Sequence, residues 1–443
     1  MKYLAVILVL AVQAAAARAD AIAFVNVSVL PMEAKGLLEG RTVVVKDGKI
    51  ASMGAAEDTA VPQGARVVDG TARYLMPGLA EMHGHVTEGR ELERTLALFV
   101  ANGVTTVRGM LGRPAHLELR EALASGRVQG PRLITSGPSF NGRSVSSPGQ
   151  AAAMVREQAA AGYDFLKIHP GLTRAEFDAI AEQAKALGIP FAGHVPEDVG
   201  VRAALAAGIA TIDHLDGYME LLLPPDADGS GGYGGFFGLL LAREAGPAAI
   251  PEIARATEDA GVWSVPTEAL FEHVASPLAP EAMAEWPEMK YVPRDTLDRW
   301  IAAKREVIGD PAYDTVTAER AIELRRALIR ALGEAGDRLL LGSDAPQIFN
   351  VPGFSVHREL EYLVAAGLSP YDALRAGTVN PARLFGRGET FGAVRVGLDA
   401  DLVLLDDNPL ADIRNTTRIH GVMVRGHWLD RQALDRLLES WRE

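Results

Sequence analysis

The chain has 443 residues, 48% of them hydrophobic, with 44 Lys and Arg against 57 Asp and Glu for a formal charge of −13, and no cysteine. So much apolar material over this length can bury a large core, which excludes a disordered chain, and the acidic balance without a basic run excludes nucleic acid as a partner. Without cysteine there is no disulfide, thiolate metal site, cysteine nucleophile or lipoprotein anchor, so any metal must be held by histidine, carboxylate or a modified lysine.

Residues 1–19 read as a signal peptide. Lys2 precedes an uncharged run from Tyr3 to Ala17, and Ala17-Arg18-Ala19 has the small-x-small pattern of a cleavage site before Asp20. That run falls short of the roughly 20 apolar residues that a bilayer span needs. A secreted or periplasmic protein with no stable membrane association is expected.

Residues 20–75 show short alternating apolar runs separated by turns, among them Phe24 to Val27, Arg41 to Val45 and Arg66 to Val68, with Asp47-Gly48 as a hairpin turn. The same texture returns in residues 389–443, at Gly392 to Val396, Ala400 to Leu405 and Gly421 to Gly426. Neither end can bury a sheet face singly. The two are expected to pair into one small discontinuous β-sandwich domain.

Between them, in residues 76–388, eight short apolar runs alternate with helical stretches. The runs are Leu79 to Met82, Val104 to Val107, Arg132 to Ser136, Asp164 to Ile168, Pro190 to Ala192, Ala210 to Ile212, Val262 to Val265 and Arg338 to Leu341. Ser147-Pro148-Gly149-Gln150 and Thr173-Arg174-Ala175-Glu176 read as capping boxes, Gly188 as a helix stop, and Ser369-Pro370 as a helix start. This count is that of an α/β (β/α)₈ TIM barrel. An open doubly wound sheet is the competitor, but no glycine-rich nucleotide loop follows Leu79.

In such a barrel the chemistry gathers at the C-terminal strand ends. Strand 1 ends in His83-Gly84-His85, strand 4 carries Lys167, strand 5 ends in His194, strand 6 in His214 and strand 8 in Asp344. Singly, each has an ordinary structural reading: a packed histidine, a helix cap, a solvated lysine. His83 and His85 stand apart, because residues two apart on a strand face one side and can reach one ion. The joint placement of such residues on five of the eight expected strand ends is what points to a metal site.

These segments resemble the metal-dependent amidohydrolase superfamily. The motifs are Met76-Pro77-Gly78-Leu79 leading into His83-Gly84-His85, Phe165-Leu166-Lys167-Ile168, Gly193-His194, Asp213-His214, Gly342-Ser343-Asp344 and Thr378-Val379-Asn380-Pro381-Ala382. The resemblance implies two divalent ions bridged by a CO₂-derived carbamate on Lys167, with His83, His85 and Asp344 on one ion and His194 and His214 on the other. The branch it is most similar to contains imidazolonepropionase-related amidohydrolases, Xaa-Pro-type dipeptidases, carboxypeptidase-like enzymes and ochratoxin-hydrolysing amidases. Lys167 counts against imidazolonepropionase activity itself.

Elementary chemistry supports this reading. Two cations need a bridging anion, and a lysine beside them has its pKa lowered, so its neutral amine can add CO₂ and become an anionic oxygen donor. Neutral imidazoles suit Zn²⁺, with Co or Mn as the alternative. A bridging hydroxide would attack a polarised carbonyl, with Asp344 as the catalytic residue that accepts the proton and returns it to the leaving amine.

Further candidates for substrate contact are His169, Tyr218 and His273, while His116, His357, His420 and His427 read as structural. The stretch Asp228 to Gly238 holds six glycines with Tyr233, Phe236 and Phe237, and reads either as a lid over an apolar substrate or as a surface insertion. The expected function is a secreted binuclear hydrolase of a carboxamide or peptide-like bond, of the dipeptide or N-acyl amino acid type. Hydrolysis of a lactone, ester or phosphoester on the same site is the alternative, and a non-catalytic relative would lack ligands, of which none is missing. The partners expected are a small-molecule substrate and, in a homo-oligomer, further copies of the chain.

Overall fold

The computed structural model describes residues 21–224 and 234–443. The expected signal peptide and the part of the glycine-rich stretch through Tyr233 lie outside the described residues.

Strand β1 (Ala21–Val29) pairs antiparallel with β2 (Leu38–Lys46), which turns back into β3 (Lys49–Ala55). The turn is Asp47-Gly48, with φ of 51° and 78°, the double left-handed conformation that a two-residue hairpin demands. Strands β4 (Arg66–Asp69) and β5 (Tyr74–Pro77) then lie parallel to β1.

The chain next builds a parallel barrel. Strands β6 (Leu79–Gly84), β7 (Val104–Gly109) and β8 (Arg132–Thr135) form one run. Strands β9 (Leu166–Ile168), β10 (Phe191–Gly193), β11 (Thr211–Asp213) and β12 (Trp263–Val265) form the other. Extended chain at Arg338 to Leu341 fills the eighth place: the Leu340 N–H donates to the Ser264 carbonyl at 2.9 Å, and the Met82 N–H donates to the Leu341 carbonyl at 2.8 Å. At the other seam the Asp164 N–H reaches the Thr135 carbonyl at 3.0 Å. The ring is therefore closed and leaves no edge, which is the (β/α)₈ barrel expected.

The helices around it start where their caps say. Thr173 and Glu176 form a complete capping box on Arg174–Leu187, and Gly188 ends that helix at φ 68°. Only half of the other box forms. The Ser147 hydroxyl accepts from the Gln150 N–H, but the Gln150 side chain turns to the N–H and hydroxyl of Ser146. Among the described residues no helix is long and apolar enough to cross a membrane.

The C-terminal segment returns to the first sheet. Strand β13 (Leu402–Leu405) pairs antiparallel with β5, and β14 (Ile419–Val424) and β15 (His427–Asp430) follow, giving one eight-stranded sheet from both chain ends. The sheet has a core of its own, in which the Phe24 ring meets Trp428 edge-on at 5.1 Å. Arg132, at the start of β8, ties the sheet to the barrel through Asp399 and Asp401 at 2.7 and 3.1 Å.

Candidate metal centre

Strand period places the first cluster. His83 and His85 leave the end of β6 on one side, and a Cβ at the intervening Gly84 would come within 2.9 Å of the Glu81 side chain. Asp344, just beyond the eighth segment, brings its Oδ1 to 2.6 Å from His85 Nε2 and 3.6 Å from His83 Nε2. One ligand atom from each of the three lies within 4.8 Å of the others, the arrangement of a cation site.

The second cluster abuts the first. The His214 ring sits 4.4 Å from His83 and 4.6 Å from His194, centroid to centroid, and His169 stacks on His194 at 4.9 Å. Lys167 is fully buried, and its Nζ has no hydrogen-bond partner. The ammonium lies against Gly193, where a Cβ would stand 3.1 Å from Nζ. Burial pushes the Lys167 pKa down to about 8, against the pull of Asp213 and Asp344. Burial likewise holds His83 and His214 well below the usual histidine range, so both are neutral nitrogen donors.

Four residues at these strand ends have left-handed backbones without being glycine: His214 at φ 63°, Leu215 at 53°, Thr267 at 47° and Asp344 at 60°. Such conformations cost of order 1–3 kcal/mol each and gather where geometry serves a site. The donor set fits divalent cations. It combines neutral imidazoles with one carboxylate and a buried lysine lacking any acceptor, and an anionic carbamate would remove that orphaned charge.

The surroundings hold residues that sequence reasoning missed. His194 Nδ1 lies 3.0 Å from Asp216 Oδ2, and His214 Nδ1 lies 2.9 Å from Thr267 Oγ1. His83 Nδ1 is 2.7 Å from Asp213 Oδ2, a close contact bent away from hydrogen-bond alignment. Glu81 is fully buried and accepts from the His83 N–H at 3.0 Å and the Ser343 N–H at 2.8 Å, tying β6 to the eighth segment. The i, i+2 spacing of Glu81 and His83 could have flagged it; Asp216 and Thr267 sit in loops, where sequence carries no direction. Phe237, by contrast, belongs to the glycine-rich stretch singled out in the sequence; at φ 46°, it stacks on His214 at 4.7 Å and 13°, and on His194 at 6.1 Å.

Two candidates for substrate contact are placed elsewhere. Tyr218 is buried with its hydroxyl 2.9 Å from Thr257 Oγ1, because the chain turns outward after His214 and packs the ring against helix Ile250–Asp259. His273 is buried between Trp286 and Tyr362, at 4.8 and 5.9 Å, since it lies more than a turn into helix Glu268–Ala275. His169 is the candidate that reaches the cluster. His357 is tied to Thr416 and the Asn102 carbonyl.

The amidohydrolase family model matches residues 74–429. An ochratoxinase of Aspergillus niger is 22% identical over 413 residues, covering 85% of this chain and 79% of that protein. The solved structure of a bottromycin amidohydrolase superposes with a TM-score of 0.72 at 25% identity, covering 96% of this chain and 90% of the other. A Xaa-Pro dipeptidase with bound methionine in its active site gives 0.65 at 18% identity, with 93% and 100% covered. The match spans the whole barrel and every strand end described above, so the chain belongs to the amidohydrolase family and is a hydrolase acting on carbon–nitrogen bonds.

Proposed function

We propose that the protein is a secreted, binuclear metal-dependent amidohydrolase that cleaves a small peptide-like amide bearing an apolar or aromatic group. The observation that carries the binuclear reading is Lys167: a buried amine with no hydrogen-bond partner, beside the clustered imidazoles and in the field of Asp213 and Asp344. His83, His85 and Asp344 would hold one ion, His194 and His214 the other, and a carbamate on Lys167 both. Bound there, the ions supply Lewis acidity toward the scissile carbonyl and toward water, Zn²⁺ being the first candidate.

The chain's own groups do the rest. Asp344 takes the proton of the attacking water on a carboxylate oxygen and returns it to the leaving nitrogen, which otherwise departs as an unstable amide anion. Asp216 and Thr267 stand at the Nδ1 atoms of His194 and His214 and orient both rings. Phe237 covers the faces of the same two rings, excludes water there and offers an apolar wall to substrate. The names of the ochratoxinase, the bottromycin amidohydrolase and the Xaa-Pro dipeptidase support an amide substrate.

The metal-loaded protein, assayed against dipeptides, N-acyl amino acids, lactones and phosphoesters, should turn over an amide fastest. Lactones or phosphoesters hydrolysed orders of magnitude faster would overturn the substrate class. A carbamate resonance in the ¹³C spectrum of protein incubated with labelled bicarbonate should mark Lys167. Mature protein from the native host should begin at or near Asp20; soluble protein retaining Met1 in the cytoplasm would refute secretion.

A further inference from the structure

One feature of the barrel interior is unexplained by packing. Layers inside such barrels are usually filled by Val, Ile and Leu. Here β7 instead sends Arg108 inward, where its side chain is 2% exposed. Its Nη2 donates to both oxygens of Asp213, at 3.1 and 2.9 Å, and its Nη1 donates to Thr211 Oγ1 at 3.0 Å. The Nε donates to the carbonyl of Met82, the residue before His83. The Thr211 hydroxyl donates in turn to Asp213 Oδ1 at 2.6 Å, and the Phe165 ring lies 5.5 Å from the guanidinium. A buried ion pair is commonly no more stabilising than an apolar pair of similar volume, so stability alone does not account for this one.

We infer that Asp213, clamped by Arg108, is a positioning residue that presents His83 to its ion and fixes the spacing of the two half-sites, an inference that rests on reading His83 as a metal ligand. Asp213 Oδ2 is 2.7 Å from His83 Nδ1, off hydrogen-bond alignment, and its negative charge there favours the ring proton on Nδ1 with Nε2 left toward Asp344. An aspartate this close to a cation site could also swing in as a ligand itself. Nη2 of Arg108 donates to both its oxygens and holds the carboxylate away from that. The clamp further joins β6, which carries His83, to β11, which ends beside His214, and the two rings stand 4.4 Å apart. One guanidinium thus sets the distance between residues assigned to different ions.

Two variants and one measurement on the wild type test this. Asp213→Asn removes the charge and leaves Arg108 buried without a counter-ion. Arg108→Leu combined with Asp213→Asn removes the pair together, and it should melt close to wild type in the metal-free state. Both should bind Zn²⁺ about 10–100-fold more weakly by chelator competition, and the visible spectrum of the Co²⁺-loaded double variant should differ from that of the wild type. Should neither variant fold, the imidazole ¹⁵N spectrum of metal-free wild type decides, with Nδ1–H on His83 expected. A double variant that melts, binds Zn²⁺ and absorbs with Co²⁺ like wild type would show that the pair only packs, and Nε2–H on His83 would equally overturn the inference. Failure of the metal reading itself looks different, because the wild type would then take up no stoichiometric Zn²⁺ or Co²⁺.

Discussion

The two halves of the metal centre are built on different principles. Around His83 and His85 a carboxylate is already in place, with Asp344 2.6 Å from His85, so charge and donors for a cation exist together. Around His194 and His214 there are rings, a stacked Phe237 and a lysine, but the nearest carboxylate, Asp216, sits at Nδ1 of His194. On the proposed binuclear reading the first half is complete as translated, whereas the second would acquire a bridging anion by modification of Lys167. On that reading one barrel mouth would join a site preformed by geometry to one that chemistry finishes.

The largest effect should come from attacking the unfinished half. Lys167→Ala should lose the second ion and lower turnover by at least about 10²–10³-fold, the scale of removing one electrostatic contact at a reacting centre. Acetate or propionate should partly restore both, read by metal analysis and steady-state kinetics. Two ions per chain and wild-type rates in that variant would dissolve the distinction between the halves. Asp344→Asn attacks the finished half. It should keep the ion of His194 and His214 while kcat falls about 10²–10⁴-fold, the range for a lost proton-transfer group.

Smaller effects sharpen the contrast. Phe237→Ala should raise KM for an aromatic substrate about 10-fold and change a small aliphatic one little, as one apolar contact would. His357 is a control remote from both halves, bonded to Thr416 and the Asn102 carbonyl. Burial lowers its pKa to about 4, so between about pH 6.5 and 4 the unfolded chain takes up a proton that the folded chain refuses. Stability should then fall as pH drops through that window, and His357→Gln should flatten the decline by on the order of 1 kcal/mol between pH 7 and 5, measured by denaturant melts.

Much of this molecule is written in local pattern. Strand period, capping residues and the Asp47-Gly48 turn are properties of neighbouring residues, and they sufficed to lay out eight barrel positions and a sheet shared by both chain ends. The residues at strand ends were legible for the same reason, since a (β/α)₈ barrel gathers its C-terminal strand ends wherever they lie in sequence. Orientation past a strand end was not. Tyr218 follows His214 by four residues yet packs on Thr257, and His273 is buried against Trp286, because helices and turns beyond the strand decide which way a side chain faces. The Arg108–Asp213 clamp lay furthest from view. It joins residues 105 positions apart across the barrel interior, and only closure of the ring brings such charges within reach of each other and of His83.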